Sequence, residues 1–426
     1  MKNAYDWYRL DNSAIMYQMV LTPAAQSLFR LGAKLNSAVN PDYLKKAVEK
    51  AFSRHKQFRC ELKRGFFRPY LDENKLPFIV EEDDGVLLKM LDFSHNNRYL
   101  LRVSYFKNRI FIDFFHGLCD GSGALEFLKT VIFYYFEEQG IPFPSDNIMT
   151  ENTPFCKEET EDAFSKYYIK PELSKGINSM AGGQAFGMRG KNFSSTGYGL
   201  IQATVDTDAL LAASRARHCS ITVLLTALMF SSVYRAYING NPKHNLTAFV
   251  PINLRKRYPS KTLGNFTVFA KIILPLDSPK DFESLVPIVK DLMEKQLSKE
   301  ELDLKTGFTS LMSKMPLFKF MPLFIKGYIS RTGRKFSKPK QTFILSNLGK
   351  VELGENPYIN EFSFNLNCNK KTPDNIGVVS YGNKTVISFT RKLVSTEVER
   401  IFCSDLSALC GGATVISNFR EECDAL

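Results

Sequence analysis

His116 and Asp120 are the residues in this chain whose types and spacing could do chemistry. His116 ends the apolar run Ile110–Phe115, and Asp120-Gly121 follow four residues on. An imidazole titrates near pH 6.5, so a histidine anchored at the end of a buried strand can act as a general base at neutral pH. Gly117 and Gly121 let the backbone turn sharply and approach a ligand. With this chain's own residue frequencies, His-x-x-x-Asp-Gly should arise by chance about once in a hundred such sequences. The other histidines lack this setting. His55 follows a helical run and reads as a surface or capping residue, while His95, His218 and His244 stand among polar, loop-like residues. Cys119, beside Asp120, has no second histidine to activate it and reads as packing rather than as a nucleophile.

The elements around these residues follow from periodicity. Leu100–Phe106 and Ile110–Phe115 are β-rich runs joined by Lys107-Asn108-Arg109, a hairpin that delivers His116 at its end. Leu125, Leu128, Ile132, Tyr135 and Phe136 mark one face of the helix that follows. Upstream, Tyr43, Leu44, Ala47, Val48, Ala51 and Phe52 predict an amphipathic helix ending near His55. Residues 11–30 are ambiguous, Phe58–Leu62 alternates as a strand, and residues 65–70 suit its hairpin partner. Residues 141–200 are rich in Pro and poor in periodicity. Gly182 to Gly187 is glycine-spaced like a phosphate loop, but no strand precedes it, so it reads as crossover.

Beyond the crossover the pattern resumes with a strand at 200–205 and helices from 208 and over 221–236. A strand at 246–251 and a helix at 281–298 come next. Further strands fall at 342–345, 361–367, 378–381 and 385–390. Thr396 and Glu399 form a capping-box pattern for a closing helix to about Leu409. Both parts mix strands with helices and show no repeating βα unit. The fold class is α/β, as two α+β halves with mixed sheets flanked by helices and a tunnel between them. The expected division is 1–170 for the half carrying the histidine, 171–200 for the crossover and 201–426 for the half that completes the site.

The composition is globular, with 44% hydrophobic residues in 426. Its longest apolar stretch, Ile221–Tyr234, is too short to span a bilayer, which needs about 20 residues. The N-terminus is charged and lacks a signal-peptide core. Eight scattered cysteines without Cys-x-x-Cys spacing point to reduced thiols, no metal site and a cytoplasmic protein. The formal charge of +12 is local: Leu304–Val351 holds ten Lys and Arg and no Asp or Glu. That stretch fits a solvated surface helix, a contact with CoA phosphates, or peripheral contact with an anionic membrane. One basic cluster without a recognition motif does not indicate nucleic-acid binding.

The segment Phe115-His116-Gly117-Leu118-Cys119-Asp120-Gly121 resembles the HxxxDG motif of the CoA-dependent acyltransferase superfamily. That superfamily includes chloramphenicol acetyltransferase, plant BAHD enzymes, bacterial alcohol acetyltransferases and the condensation domains of peptide synthetases. Three other landmarks appear in the family's order. Arg54 to Arg59 is similar to its RHxxLR segment. Pro251 to Arg255, followed by Gly264-Asn265-Phe266, is similar to its P-x-D/N-L-R … GN-F segment. Ser346-Asn347-Leu348-Gly349 resembles its SNLG strand end. Condensation domains usually carry a second histidine where Phe115 stands, and the DFGWG motif of plant members is absent, which leans toward a stand-alone bacterial alcohol acetyltransferase.

The resemblance implies an acyltransferase that moves an acyl group from acyl-CoA, a cosubstrate rather than a tightly bound cofactor, to a small hydroxyl or amine acceptor. His116 would be the base, with no covalent intermediate. Asp120 would be a strut paired with an arginine, Arg255 before Arg59. The Gly121 N–H, Ser346 or Asn347 would steady the oxyanion. A free-standing condensation-like enzyme using carrier-protein thioesters and a non-catalytic acyl- or lipid-binding descendant are the alternatives. A monomer suffices, since both halves lie on one chain.

Overall fold

The computed structural model of the chain describes residues 7–22, 26–172, 183–194, 197–238, 243–336, 339–354 and 356–418. Trp7–Arg9 (β1) leads into Asn12–Met19 (α1), so part of the ambiguous N-terminal segment is helical. Leu28–Leu35 (β2) precedes Pro41–Arg54 (α2). Asn40 caps α2 with its side-chain oxygen, and Pro41 takes a first-turn position where its missing N–H costs nothing. Cys60–Arg64 (β3) and Pro69–Glu73 (β4) form a hairpin, followed by Val80–Glu82 (β5), Leu101–Phe106 (β6) and Arg109–Phe115 (β7). Gly121–Glu137 (α3) and the short Ala163–Lys166 (α4) complete the first half.

The second half runs through Gly199–Asp206 (β8), Thr207–Ala216 (α5), Ile221–Tyr237 (α6), Thr247–Asn253 (β9) and Thr267–Ile273 (β10). Phe282–Gln296 (α7), Lys299–Lys314 (α8), Pro316–Phe320 (α9) and Leu323–Phe336 (α10) follow. The chain then makes Phe343–Lys350 (β11), Ile359–Leu366 (β12), Asp374–Tyr381 (β13), Lys384–Arg391 (β14), Glu397–Cys410 (α11) and Thr414–Ser417 (β15). The acid-free stretch is thus the end of one helix, two further helices and a strand, not a single surface helix.

Among the described residues the strands form three sheets, ordered β1-β4-β3, β12-β2-β7-β6-β5 and β10-β9-β11-β13-β14-β8-β15. The fold is mixed α/β, its larger sheets combining parallel and antiparallel pairs. β12, from the C-terminal part of the chain, pairs with β2 in the five-stranded sheet, Phe364 opposite Leu31. The two larger sheets come close there. A Cβ on Gly377 of β13 would lie 2.1 Å from the Phe364 carbonyl oxygen, so only glycine fits.

One core sits between the five-stranded sheet and α2 and α3. It holds Leu31, Val48, Phe52, Ile112, Phe114 and Phe127. Each such side chain contributes about 1.5–3 kcal/mol on burial. A second core lies under the seven-stranded sheet, where α6 is buried almost all round. Among the described residues no single helix is long and apolar enough to cross a membrane.

Three details depart from the sequence reading. His55 is the C-cap of α2 but is fully buried, not at the surface, with Nε2 2.9 Å from Thr130 Oγ1. Thr396 makes no side-chain cap, and the Glu399 side chain, which a capping box would turn back to the Thr396 N–H, is instead drawn inward to Arg391, 3.5 Å from its Nε. Asp113 lies inside the apolar run of β7 with no exposed surface. Arg30 and Arg102 grip it at 2.6–3.0 Å, and despite burial they hold its carboxyl below the usual range.

Candidate active site

β7 ends at Phe115, and the His116 N–H donates to the Ser27 carbonyl at 2.8 Å. The backbone is therefore fixed where the side chain leaves the strand. The imidazole stacks on Tyr17 of α1, centroids 4.3 Å apart, and meets the edge of Phe29 at 5.0 Å. The residue is half-buried, so part of it remains in reach of solvent. Burial pulls its pKa below the ordinary histidine value, against Asp120, its own backbone and Asn265, so the ring is neutral at pH 7.

Asn265 sets the tautomer. Its Nδ2 donates to Asp11 Oδ2 at 3.1 Å, which leaves its Oδ1 to face His116 Nδ1 at 3.0 Å. A carbonyl oxygen accepts, so the ring proton sits on Nδ1 and Nε2 keeps its lone pair. Asp11 also accepts the Asn265 backbone N–H at 2.9 Å and caps α1 through the Ala14 N–H at 2.7 Å. Burial, with Asp162 adding to it, pushes Asp11 up to about 7 against these three donors. In the sequence Asn265 stands only as the middle of Gly-Asn-Phe, without a role, and Asp11 does not stand out as functional. Asp11 ahead of Asn12-Ser13 carries a cap signal, but nothing in the sequence says that the cap reaches residue 265.

Asp120 does not face His116. It is the N-cap of α3, taking the Ser122 and Gly123 N–H groups on Oδ1 at 3.1 Å each. Arg255 Nη1 reaches Oδ2 at 2.8 Å and Nη2 reaches Oδ1 at 3.2 Å, while the Phe266 N–H and Thr267 Oγ1 donate to Oδ2 at 2.9 Å each. Burial raises this carboxyl's pKa, but Arg255 and the backbone donors outweigh it, so the net shift is downward. Arg255 is itself held by the Thr262 and Gly264 carbonyls at 2.9 and 2.7 Å. Arg59 instead pairs with Glu49 at 2.7 Å, and Arg54 with Glu159 at 2.9 Å.

Gly121 opens α3 against the end of β11, where an added Cβ would stand 2.6 Å from Leu348 Cδ2. Ser346 is buried in β11, in register with Gly377. Asn347 is occupied: its Nδ2 donates to Thr222 Oγ1 at 3.2 Å and its Oδ1 accepts the Gly349 N–H at 2.8 Å. Ser122 Oγ, in the first turn of α3, accepts from Asn253 Nδ2 at 2.9 Å. Cys119 has no exposed surface, and burial pushes its thiol well above the usual value, which leaves no thiolate for nucleophilic work. The arrangement can take a proton at Nε2 of His116, whose ring is stacked on Tyr17 and held at Nδ1 by Asn265.

No protein-family model and no curated protein matches the sequence. Solved structures do. Polyketide synthase associated protein 5 from Mycobacterium tuberculosis aligns with 95% of this chain and 97% of its own, at TM-score 0.64 and 13% identity. The starter condensation domain of rhizomide synthetase RzmA, solved in complex with C8-CoA, aligns over 96% and 96%, at TM-score 0.58 and 12% identity. Trichothecene 15-O-acetyltransferase from Fusarium sporotrichioides aligns over 95% of each chain, at TM-score 0.59 and 12% identity. The chain therefore has the fold shared by condensation domains and chloramphenicol-acetyltransferase-like acyltransferases.

Proposed function

We propose that the protein transfers an acyl group from an acyl-CoA thioester to a hydroxyl acceptor, with His116 as general base. The observation that carries this is the 3.0 Å contact between His116 Nδ1 and Asn265 Oδ1, which frees Nε2 to take a proton. As the acceptor oxygen bonds to the thioester carbonyl carbon, its proton passes to Nε2. Collapse of the tetrahedral intermediate breaks the C–S bond, and the leaving thiolate takes the proton back. No acyl-enzyme is needed. Asp120 and Arg255 act at a distance by holding the 116–123 turn and the 263–267 loop in register. The Gly121 N–H at the start of α3 or the Ser346 hydroxyl is the oxyanion donor, since Asn347 is already engaged.

The test is release of free thiol from acyl-CoAs of several chain lengths with a panel of alcohols, followed by mass spectrometry of the ester. Loss of about a hundredfold or more in kcat for His116→Ala is expected for a general base. A folded natural chain that releases no thiol with any acceptor would remove this reading. The second reading keeps the base and changes the donor to a carrier-protein thioester. Fold likeness to a synthetase condensation domain supports it. Turnover of a carrier-bound acyl thioester but not of its CoA counterpart would select it.

A further inference from the structure

Phe66, at the tip of the β3–β4 hairpin, and Phe324 and Tyr328 on α10 are 68%, 70% and 68% exposed, unusual for aromatic residues in so well filled a fold. They form one built surface. The Leu323 N–H donates to the Phe66 carbonyl and Lys326 Nζ to the Phe67 carbonyl, each at 2.9 Å, and the Phe67 and Phe320 rings meet edge to face at 6.4 Å. Phe324 and Tyr328, and beside them Ile325 and Ile329, lie four residues apart on one side of α10. Exposed Lys319 and, on α10, Arg331, with Arg64 and Arg68 flanking the hairpin tip, adjoin this patch. No acidic residue occurs between Leu304 and Val351.

We propose that this face docks on an anionic lipid bilayer. Protruding aromatic and aliphatic side chains ringed by Lys and Arg suit insertion at the headgroup boundary of a negatively charged membrane. The acid-free rim argues against a second copy of this chain, which would set like charge against like. Beneath the patch lies α1, where Met19 Sδ is 3.8 Å from Ser330 Oγ of α10. The same helix carries Tyr17, which stacks on His116. A docked protein would hold its candidate base one helix away from the lipid surface.

Sedimentation with lipid vesicles tests this on the full chain. Phosphatidylcholine vesicles containing phosphatidylserine should pellet the protein at low salt, with binding falling as salt rises. Pure phosphatidylcholine should bind about tenfold less. The Phe324→Ser/Tyr328→Ser double variant and, separately, Lys319→Glu/Arg331→Glu should each lose about tenfold in anionic-vesicle binding. All four positions are exposed, so circular dichroism melts should be unchanged. Three results would overturn the proposal: no pelleting on anionic vesicles, variants that bind as well as the natural chain, or a dimer in velocity sedimentation that the double serine variant dissociates.

Discussion

Arg255 and Asp120 form a forked ion pair, at 2.8 and 3.2 Å, between the short turn after β9 and the first turn of α3. It joins residues 135 positions apart and closes the C-terminal half onto the turn that carries His116.

Breaking this pair on one side should be costly, because the other partner stays behind in a nearly dry site. Asp120→Ala strands Arg255 and also removes the α3 cap, and a loss of about 3–5 kcal/mol is expected. Arg255→Lys keeps the charge but cannot make both contacts, so it should cost less. Urea unfolding midpoints for Asp120→Ala, Arg255→Ala and the Asp120→Ala/Arg255→Ala double variant measure the coupling. Additive effects would mean that the pair does no joint work.

Two glycines should respond in opposite directions. An added Cβ on Gly123 would lie 2.0 Å from the Leu263 carbonyl oxygen, a backbone atom that cannot step aside. Gly123→Ala should therefore lose about 1–3 kcal/mol through overpacking. Gly333 in α10 has open space around its added Cβ, so Gly333→Ala should gain up to about 1 kcal/mol from helix propensity. Thermal melts of both variants check the contrast.

Much of the first half was legible because its signals are local. The hairpin ending at His116 and the helix starting beside Asp120 follow from runs of residues within a few turns of each other. The resemblance also singled out Arg255, which the structure places against Asp120. What could not be read is contact across long separations. Periodicity marks 361–367 as a strand but does not say that this strand, β12, joins β2. His55 looked superficial because helix ends usually are. Thr130, 75 positions on, supplies the partner that lets it be buried. Asn265 and Asp11 lie 149 and 254 positions from the residues they hold, with no local pattern linking them.

The burial of His55 carries a pH signature. Its pKa is lowered to about 3, by burial first and then by Arg54 and Lys129. The unfolded chain takes up this proton near pH 6.5 and the folded chain does not. The stability associated with His55 is therefore complete above pH 6.5 and is lost as pH falls toward 3. His55→Gln can still donate to Thr130 and does not titrate. Denaturant unfolding at pH 7, 5.5 and 4.5 should show a flatter decline for the variant, by about 1 kcal/mol for each pH unit below 6.

The same reasoning, applied to His116, separates positioning from mere structure. Its pKa is lowered by burial, so the acidic limb of kcat/KM for acyl transfer should fall below pH 6.5. The Asn265 hydrogen bond works against that shift by favouring the charged ring. Asn265→Ala should therefore move the acidic limb to still lower pH. It should also lower kcat, on the order of a hundredfold, because the ring is no longer held in one tautomer and direction. KM should change little, since Asn265 faces the base rather than a substrate. Full pH profiles of the natural chain and Asn265→Ala provide the check. A variant that merely unfolded would lose amplitude at every pH without moving the limb, and that outcome would deny Asn265 its positioning role.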